Sequence, residues 1–237
     1  GFPKRMFAME TWDERGNDKD TTLFGLSNES DWVLNGPYSD KSLIRNVLSY
    51  RWSNEIGRYA PRTKLVELFL NRGGGRLSES HYHGVYVLIE KIKRDDERVD
   101  IEELLPSQEA EPEISGGYIL KIDRLDPGDH GFNTTSGVTV CYVDPKEEEI
   151  TAPQRQWIKS YLDNFEAALY SGSFTNPETG YAAYIDEAAW VDHLLMVEFM
   201  KNIDGYRLST FFYKDRGGKL AMGPIWDYNL SLGNANY

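Results

Sequence analysis

The sequence predicts an α+β protein built in two regions, and three observations carry that prediction. Strand-like runs with one helix fill the first part of the chain. Helices with one hairpin dominate the last part, and a strongly charged stretch at 94–112 lies between them. The division falls near residue 93, giving regions 1–93 and 94–237. A chain of 237 residues with 13% aromatic side chains can bury a sizeable core. The same composition excludes a disordered tail, which lacks aromatic and branched residues to bury.

Each element has its own justification. Residues 4–10 read as a short strand, and the Asp-, Gly- and Asn-rich stretch 13–20 as a loop. Ser39-Asp40 precedes Leu43, Ile44, Val47, Leu48, Trp52 and Ile56, spaced three or four apart. That pattern predicts a capped amphipathic helix over 40–56, ending at Gly57. Apolar runs 64–70 and 84–92 flank Asn71-Arg72-Gly73-Gly74-Gly75, which predicts antiparallel neighbours joined by a long hairpin loop. The charged connection suits one helical turn near 101–105, and runs 117–122 and 138–143 form a further strand pair. Pro153 opens a helix with Trp157, Ile158, Tyr161, Leu162, Phe165 and Leu169 on one face. Over 186–202 the apolar stretch is almost continuous, which predicts a buried helix. A hairpin follows, with arms 208–213 and 219–226 around a turn at 214–218.

Charge and cysteine usage remove several functions. The net charge of −12 disfavours nucleic acid and anionic membrane surfaces, both of which need a basic face. No apolar run reaches the roughly 20 residues that span a bilayer, so membrane insertion is not expected. A single cysteine, Cys141, excludes an internal disulfide framework and a multi-thiolate metal site. Its alternating surroundings predict a small core residue. The chain opens on Gly1-Phe2-Pro3-Lys4 and stops after an apolar strand, as an excised piece would.

The final hairpin carries the chemistry. With its turn centred near Arg216, Asp204 and Asp227, 23 residues apart, face each other at its mouth, and Asn202 and Asn229 flank them. Two carboxylates held close repel each other unless a cation lies between them. Amide oxygens beside them complete an oxygen-rich site suited to Mg²⁺ or Mn²⁺. The bland alternative is that Asp204 caps a turn before Gly205 and Asp227 is solvated. His81 and His83 alternate at a strand entry without a third ligand, and His130 and His193 are isolated. Neither a nucleophile-elbow spacing nor a Walker-type Gly-Lys-Ser/Thr motif occurs.

A family resemblance then enters. The segments Phe2-Pro3-Lys4-Arg5, Asp31-Trp32-Val33-Leu34 and Asp40-Lys41-Ser42-Leu43-Ile44-Arg45-Asn46 resemble the spore-coat CotH kinase family. So do Gly84-Val85-Tyr86-Val87-Leu88-Ile89-Glu90-Lys91-Ile92, Asn202-Ile203-Asp204 and Pro224-Ile225-Trp226-Asp227-Tyr228-Asn229, in the family's order. The resemblance implies a two-lobed, atypical protein-kinase-like fold forming one kinase-like domain. Its N-lobe sheet with one helix would span 1–93, and its mainly helical C-lobe with a catalytic hairpin would span 94–237 and is expected to be truncated. It also implies ATP and Mg²⁺ (or Mn²⁺) as cofactors, a protein hydroxyl as acceptor, and a spore or cell-surface setting.

Residue roles follow from the same resemblance. Asp204 would be the catalytic aspartate, and Asp227 would hold metal against the nucleotide phosphates. Lys4 would contact phosphate, and Glu90, Lys91 and Ile92 would form the inter-lobe hinge whose backbone meets adenine. Helix 40–56 would take the regulatory-helix place, with Glu55 facing Lys4. Three departures stand out. Ser209 occupies the position where ordinary kinases put a second-metal Asn, so Asn229 would have to replace it. Tyr228 and Asn229 follow Asp227 where Gly or Asp would be usual. The family's Gly- and Ser-bearing strand falls before Gly1. A catalytically impaired pseudokinase and a carbohydrate-active protein using paired Asp residues therefore stay open as alternatives.

Overall fold

Two antiparallel sheets organise the chain in the computed structural model, which describes residues 2–235. Along the sequence, β1 (Phe7–Glu10) is followed by a small ribbon, β2 (Thr21–Thr22) with β3 (Asn28–Glu29). Then come β4 (Asp31–Asn35), α1 (Arg45–Glu55), β5 (Thr63–Phe69) and β6 (Tyr82–Glu90). The first sheet has the order β1-β4-β6-β5. The long loop between β5 and β6 is the hairpin that the Asn71–Gly75 turn residues predict, with Lys64 opposite Leu88.

The second sheet is assembled from distant segments. β7 (Tyr118–Ile122), β8 (Gly131–Asn133) and β9 (Thr139–Asp144) precede α2 (Ala152–Leu169) and α3 (Glu187–Met200). β10 (Thr210–Lys214) and β11 (Leu220–Met222) close it, in the order β11-β10-β7-β9-β8. Thr151 caps α2 through a capping box with Gln154, and Asp186 caps α3 by accepting from Ala189. Cys141 is fully buried in β9, as its alternating neighbours predict.

Apolar clusters join the parts. Tyr50 of α1, Val87 and Ile89 of β6, Met196, Val197 and Met200 of α3, and Ile225 and Tyr228 form one buried group. Burial of such side chains contributes about 1.5–3 kcal/mol each, so this cluster fixes α1 and α3 against the 225–228 segment.

Four expectations need correction. α1 begins at Arg45 rather than near Asp40, because Leu43 takes a left-handed conformation (φ 65°). The Asp40 carboxylate accepts from the Ser42 and Arg45 backbones and caps that preceding turn instead. No helical turn forms near 101–105, where Glu102 donates its backbone N–H to the Asp215 carboxylate. The helix over 186–202 is not buried all round, since Leu195 and Phe199 are 59% and 67% exposed.

The last correction concerns the hairpin register. Phe212 pairs with Met222 and Lys214 with Leu220, which centres the turn on Gly217. Gly217 supplies the positive φ of 64° that this tight turn requires. Pairing ends at Phe212–Met222, so Asp204 and Asp227 are not cross-strand partners. Loops bring them to the site instead.

Candidate functional site

The site grows from three loops at one end of the second sheet. Along β7 and just beyond it, Lys121 and Asp123 alternate and so share a face. β10 pairs Thr210 with Ile122, which sets the preceding Ser209 beside Asp123. Ser209 has a left-handed φ of 49°, and its hydroxyl donates to Asp123 Oδ2 at 3.4 Å. Lys121 Nζ lies 3.6 Å from Asp123 and 3.3 Å from Asp129. Asp123 is absent from the sequence-based site because only the β7–β10 pairing shows that it lies beside Ser209.

Asp204 stands on the turn after α3. Asn202 accepts its backbone N–H at 3.3 Å, and its own carbonyl accepts from Arg207 and Leu208. The neighbouring Gly205 must be glycine, because a Cβ there would sit 2.8 Å from Val197. His193 of α3 donates to the Gly205 carbonyl at 3.1 Å and ties the turn to the helix. Arg207 closes the turn, with its guanidinium 2.5 Å from Asp204 Oδ1.

Asp227 follows Trp226 in a left-handed conformation (φ 55°). Its backbone N–H donates to the Tyr50 hydroxyl at 3.0 Å, and the Asn229 amide donates to its carboxylate. The residue is exposed at the surface, with Tyr50 against its backbone and Asn229 against its carboxylate. Desolvation first, and then the charges of Asp204 and Asp123, push its pKa up to about 6. The charges of Asp204 and Asp123 thus both bear on Asp227.

A cavity of about 250 Å³ reaches Trp226, the residue before Asp227. Val33 of the first sheet, Lys91 and Ile92 wall one side, and Lys121, Phe211 and Trp226 wall the other. A larger hollow, about 550 Å³, lies between α1 and β5. Asp123, Asp204 and Asp227 line neither hollow; the smaller one is tied to them through Trp226, the residue before Asp227.

The other expected residues fall as follows. Lys91 pairs with Asp31 at 3.2 Å, and Ile92 is buried against Phe211 in an apolar cluster. The Glu90 side chain is fully buried and accepts from Ser27 and Arg62, so its carboxylate faces a structural network. Lys4 donates to the Val85 carbonyl and rests over the Tyr86 ring, and burial lowers its pKa. Glu55 pairs with Arg51 rather than Lys4, since both lie one exposed turn apart on α1.

The donor set suits a hard cation in one specific sense. Among the described residues, no three His, Cys, Asp or Glu side chains enclose a metal by themselves. Mg²⁺ does not require that, because it takes one or two carboxylates and completes its shell with waters and substrate phosphates. Asp227, pressed by like charges, is the kind of oxygen donor that such an ion relieves.

The sequence model described as CotH kinase protein matches residues 1–237, the whole chain. The chain belongs to this family. No curated protein matches it. Asp204 and Asp227 both stand on loops, and the charges of Asp204 and of Asp123, just beyond β7, bear on Asp227.

Proposed function

We propose that this CotH family member is an ATP- and Mg²⁺-dependent phosphotransferase that acts on a protein Ser/Thr hydroxyl. One observation carries the reading: Asp227, pressed by the charges of Asp204 and Asp123, directly follows Trp226, which lines a cavity of about 250 Å³ together with Ile92 and Phe211. In this reading the first sheet and α1 (1–93) act as the N-lobe and 94–237 as the C-lobe of one kinase-like domain. Trp226 is stacked on Tyr50 at 19° and packs edge-on to Phe211, which favours an enclosed flat base over an open sugar platform.

The roles then follow from chemistry. The backbone of Glu90, Lys91 and Ile92 would meet the nucleobase. Asp227 and the Asn229 side-chain oxygen would hold Mg²⁺ or Mn²⁺, with the Ser209 hydroxyl as a further oxygen. The ion would supply charge neutralisation at the phosphates. Asp204 would orient the acceptor hydroxyl and take its proton. Lys4 would reach phosphate only after leaving the Val85 carbonyl. A spore or cell-surface setting accords with the family.

One observation favours a second reading, a nucleotide-binding module without transfer: Ser209 spends its hydroxyl on Asp123. Calorimetry with ATP at varied Mg²⁺, paired with a transfer assay using γ-labelled ATP, separates the two. Mg²⁺-dependent binding with labelled protein product supports the enzyme. Binding without product supports the module, and no binding at any Mg²⁺ concentration ends both.

A further inference from the structure

The charge balance of the cleft singles out Arg207, given the phosphotransfer reading above. Asp123, Asp204 and Asp227 already crowd this region with negative charge, and a nucleotide would add more. The lysines assigned to it are already committed. Lys121 is held between Asp123 and Asp129, Lys91 meets Asp31, and Lys4 is bound to the Val85 carbonyl.

Arg207 is placed differently. Its side chain is 59% exposed, and its ion pair is made with Asp204 alone among the described residues. An exposed pair of this kind is weakly held, so its arginine exchanges partners readily. A guanidinium also presents several donors in a fixed fork that matches phosphoryl oxygens.

We propose that Arg207 is a catalytic residue that leaves Asp204 for the transferring phosphoryl group when nucleotide enters the cleft. In the transfer, the acceptor oxygen bonds to the γ-phosphorus while its proton passes to an Asp204 carboxylate oxygen. The bond from that phosphorus to the β,γ-bridging oxygen breaks, and its electron pair leaves with ADP. Arg207 donates to the equatorial oxygens, over which charge spreads in the transition state. Its departure also frees the Asp204 carboxylate oxygen that it holds, for the acceptor hydroxyl. One movement thus supplies charge stabilisation and uncovers the base.

The test compares wild type with Arg207→Gln, Arg207→Lys and Asp204→Asn. Calorimetry measures a non-hydrolysable ATP analogue with Mg²⁺, and ADP with Mg²⁺ in the presence and absence of aluminium fluoride. Wild type should bind ADP at least tenfold more tightly with aluminium fluoride, which mimics the transferring group. Arg207→Gln should lose that gain while binding the analogue within twofold of wild type. Arg207→Lys should keep part of it, and Asp204→Asn should keep it. Phosphate transfer by Arg207→Gln should fall about 10³-fold, the range of arginines that act on this transition state.

The two readings fail separately. A wild type that binds no analogue overturns phosphotransfer and the role of Arg207 with it. A wild type that binds the analogue but shows no gain, or an Arg207→Gln that keeps the gain, overturns the role of Arg207 alone. If Asp204→Asn loses the gain as fully as Arg207→Gln, Arg207 only orients Asp204 and the proposal fails.

Discussion

The Tyr50 hydroxyl of α1 accepts the backbone N–H of Asp227 at 3.0 Å, joining the helix of the first region to the metal-candidate loop of the second. Tyr50 is almost fully buried and Asp227 sits in left-handed backbone, so this bond helps hold an uncommon conformation. Tyr50→Phe keeps the ring and removes the acceptor. It should lower stability by about 0.5–1.5 kcal/mol, the net worth of such a bond. It should also weaken Mg²⁺-dependent nucleotide binding. Urea denaturation and an Mg²⁺ titration check the two effects, and unchanged binding would show that the bond does not position Asp227.

The two loop aspartates should separate by function. Asp227→Ala should remove the Mg²⁺ dependence of ATP binding, while Asp204→Ala should bind nucleotide and fail to transfer phosphate. Equal ATP affinity in wild type and Asp227→Ala, with and without Mg²⁺, would remove Asp227 from the cation site.

Stability should carry a pH signature of the cleft. The Asp227 carboxyl is raised from 3.8 to about 6, so between those values the folded protein holds a proton that the unfolded chain has released. The contribution of this group therefore falls as pH rises through that window and levels off above about 6. Denaturation in metal-free buffer should show the decline, and Asp227→Asn should remove it. Divalent-cation binding should move the opposite way, strengthening as the carboxyl ionises. An unaltered decline in Asp227→Asn would place its origin elsewhere.

Glu90 should prove to matter for folding rather than for nucleotide chemistry. Burial alone would raise its pKa, but bonds from Arg62 and Ser27 outweigh burial and hold the carboxyl below its ordinary range. Glu90→Ala strands Arg62 and should cost about 2–4 kcal/mol, near the lower end for a broken buried pair because Arg62 is partly exposed. Chemical denaturation measures this. Loss of ATP affinity in a Glu90→Ala that remained fully folded would assign the side chain a direct role.

Legibility in the sequence followed the range of the interaction. The helix that became α2 was readable because Trp157, Ile158, Leu162 and Phe165 recur at helical spacing after Pro153, while its Thr151 cap is a finding of the structure. The β5–β6 and β7–β9 pairs were readable from apolar runs and turn residues. α3 misled because Val191, Leu194, Leu195 and Phe199 fill the face that elsewhere would be polar, leaving no period to mark exposure. Asp204 and Asp227 were found through a hairpin register that the turn at Gly217 does not keep. The resemblance in motif order picks out the same two residues without that register. Asp123 was not legible at all, since β7 and β10 are separated by both long helices and meet only in the folded sheet.

The solitary thiol has a use of its own. Cys141 is wholly enclosed in β9, with its sulfur close to the carbonyls of Asp123 and Arg124, and burial raises its pKa. An alkylating reagent can reach it only when that part of the second sheet opens. The rate of modification is thus a clock on the breathing of the strand that carries Lys121 and leads to Asp123. Because the chain holds one cysteine, the signal comes from a single place. Slower labelling with bound nucleotide would register, on native protein and without a substitution, how firmly an occupant steadies the cleft.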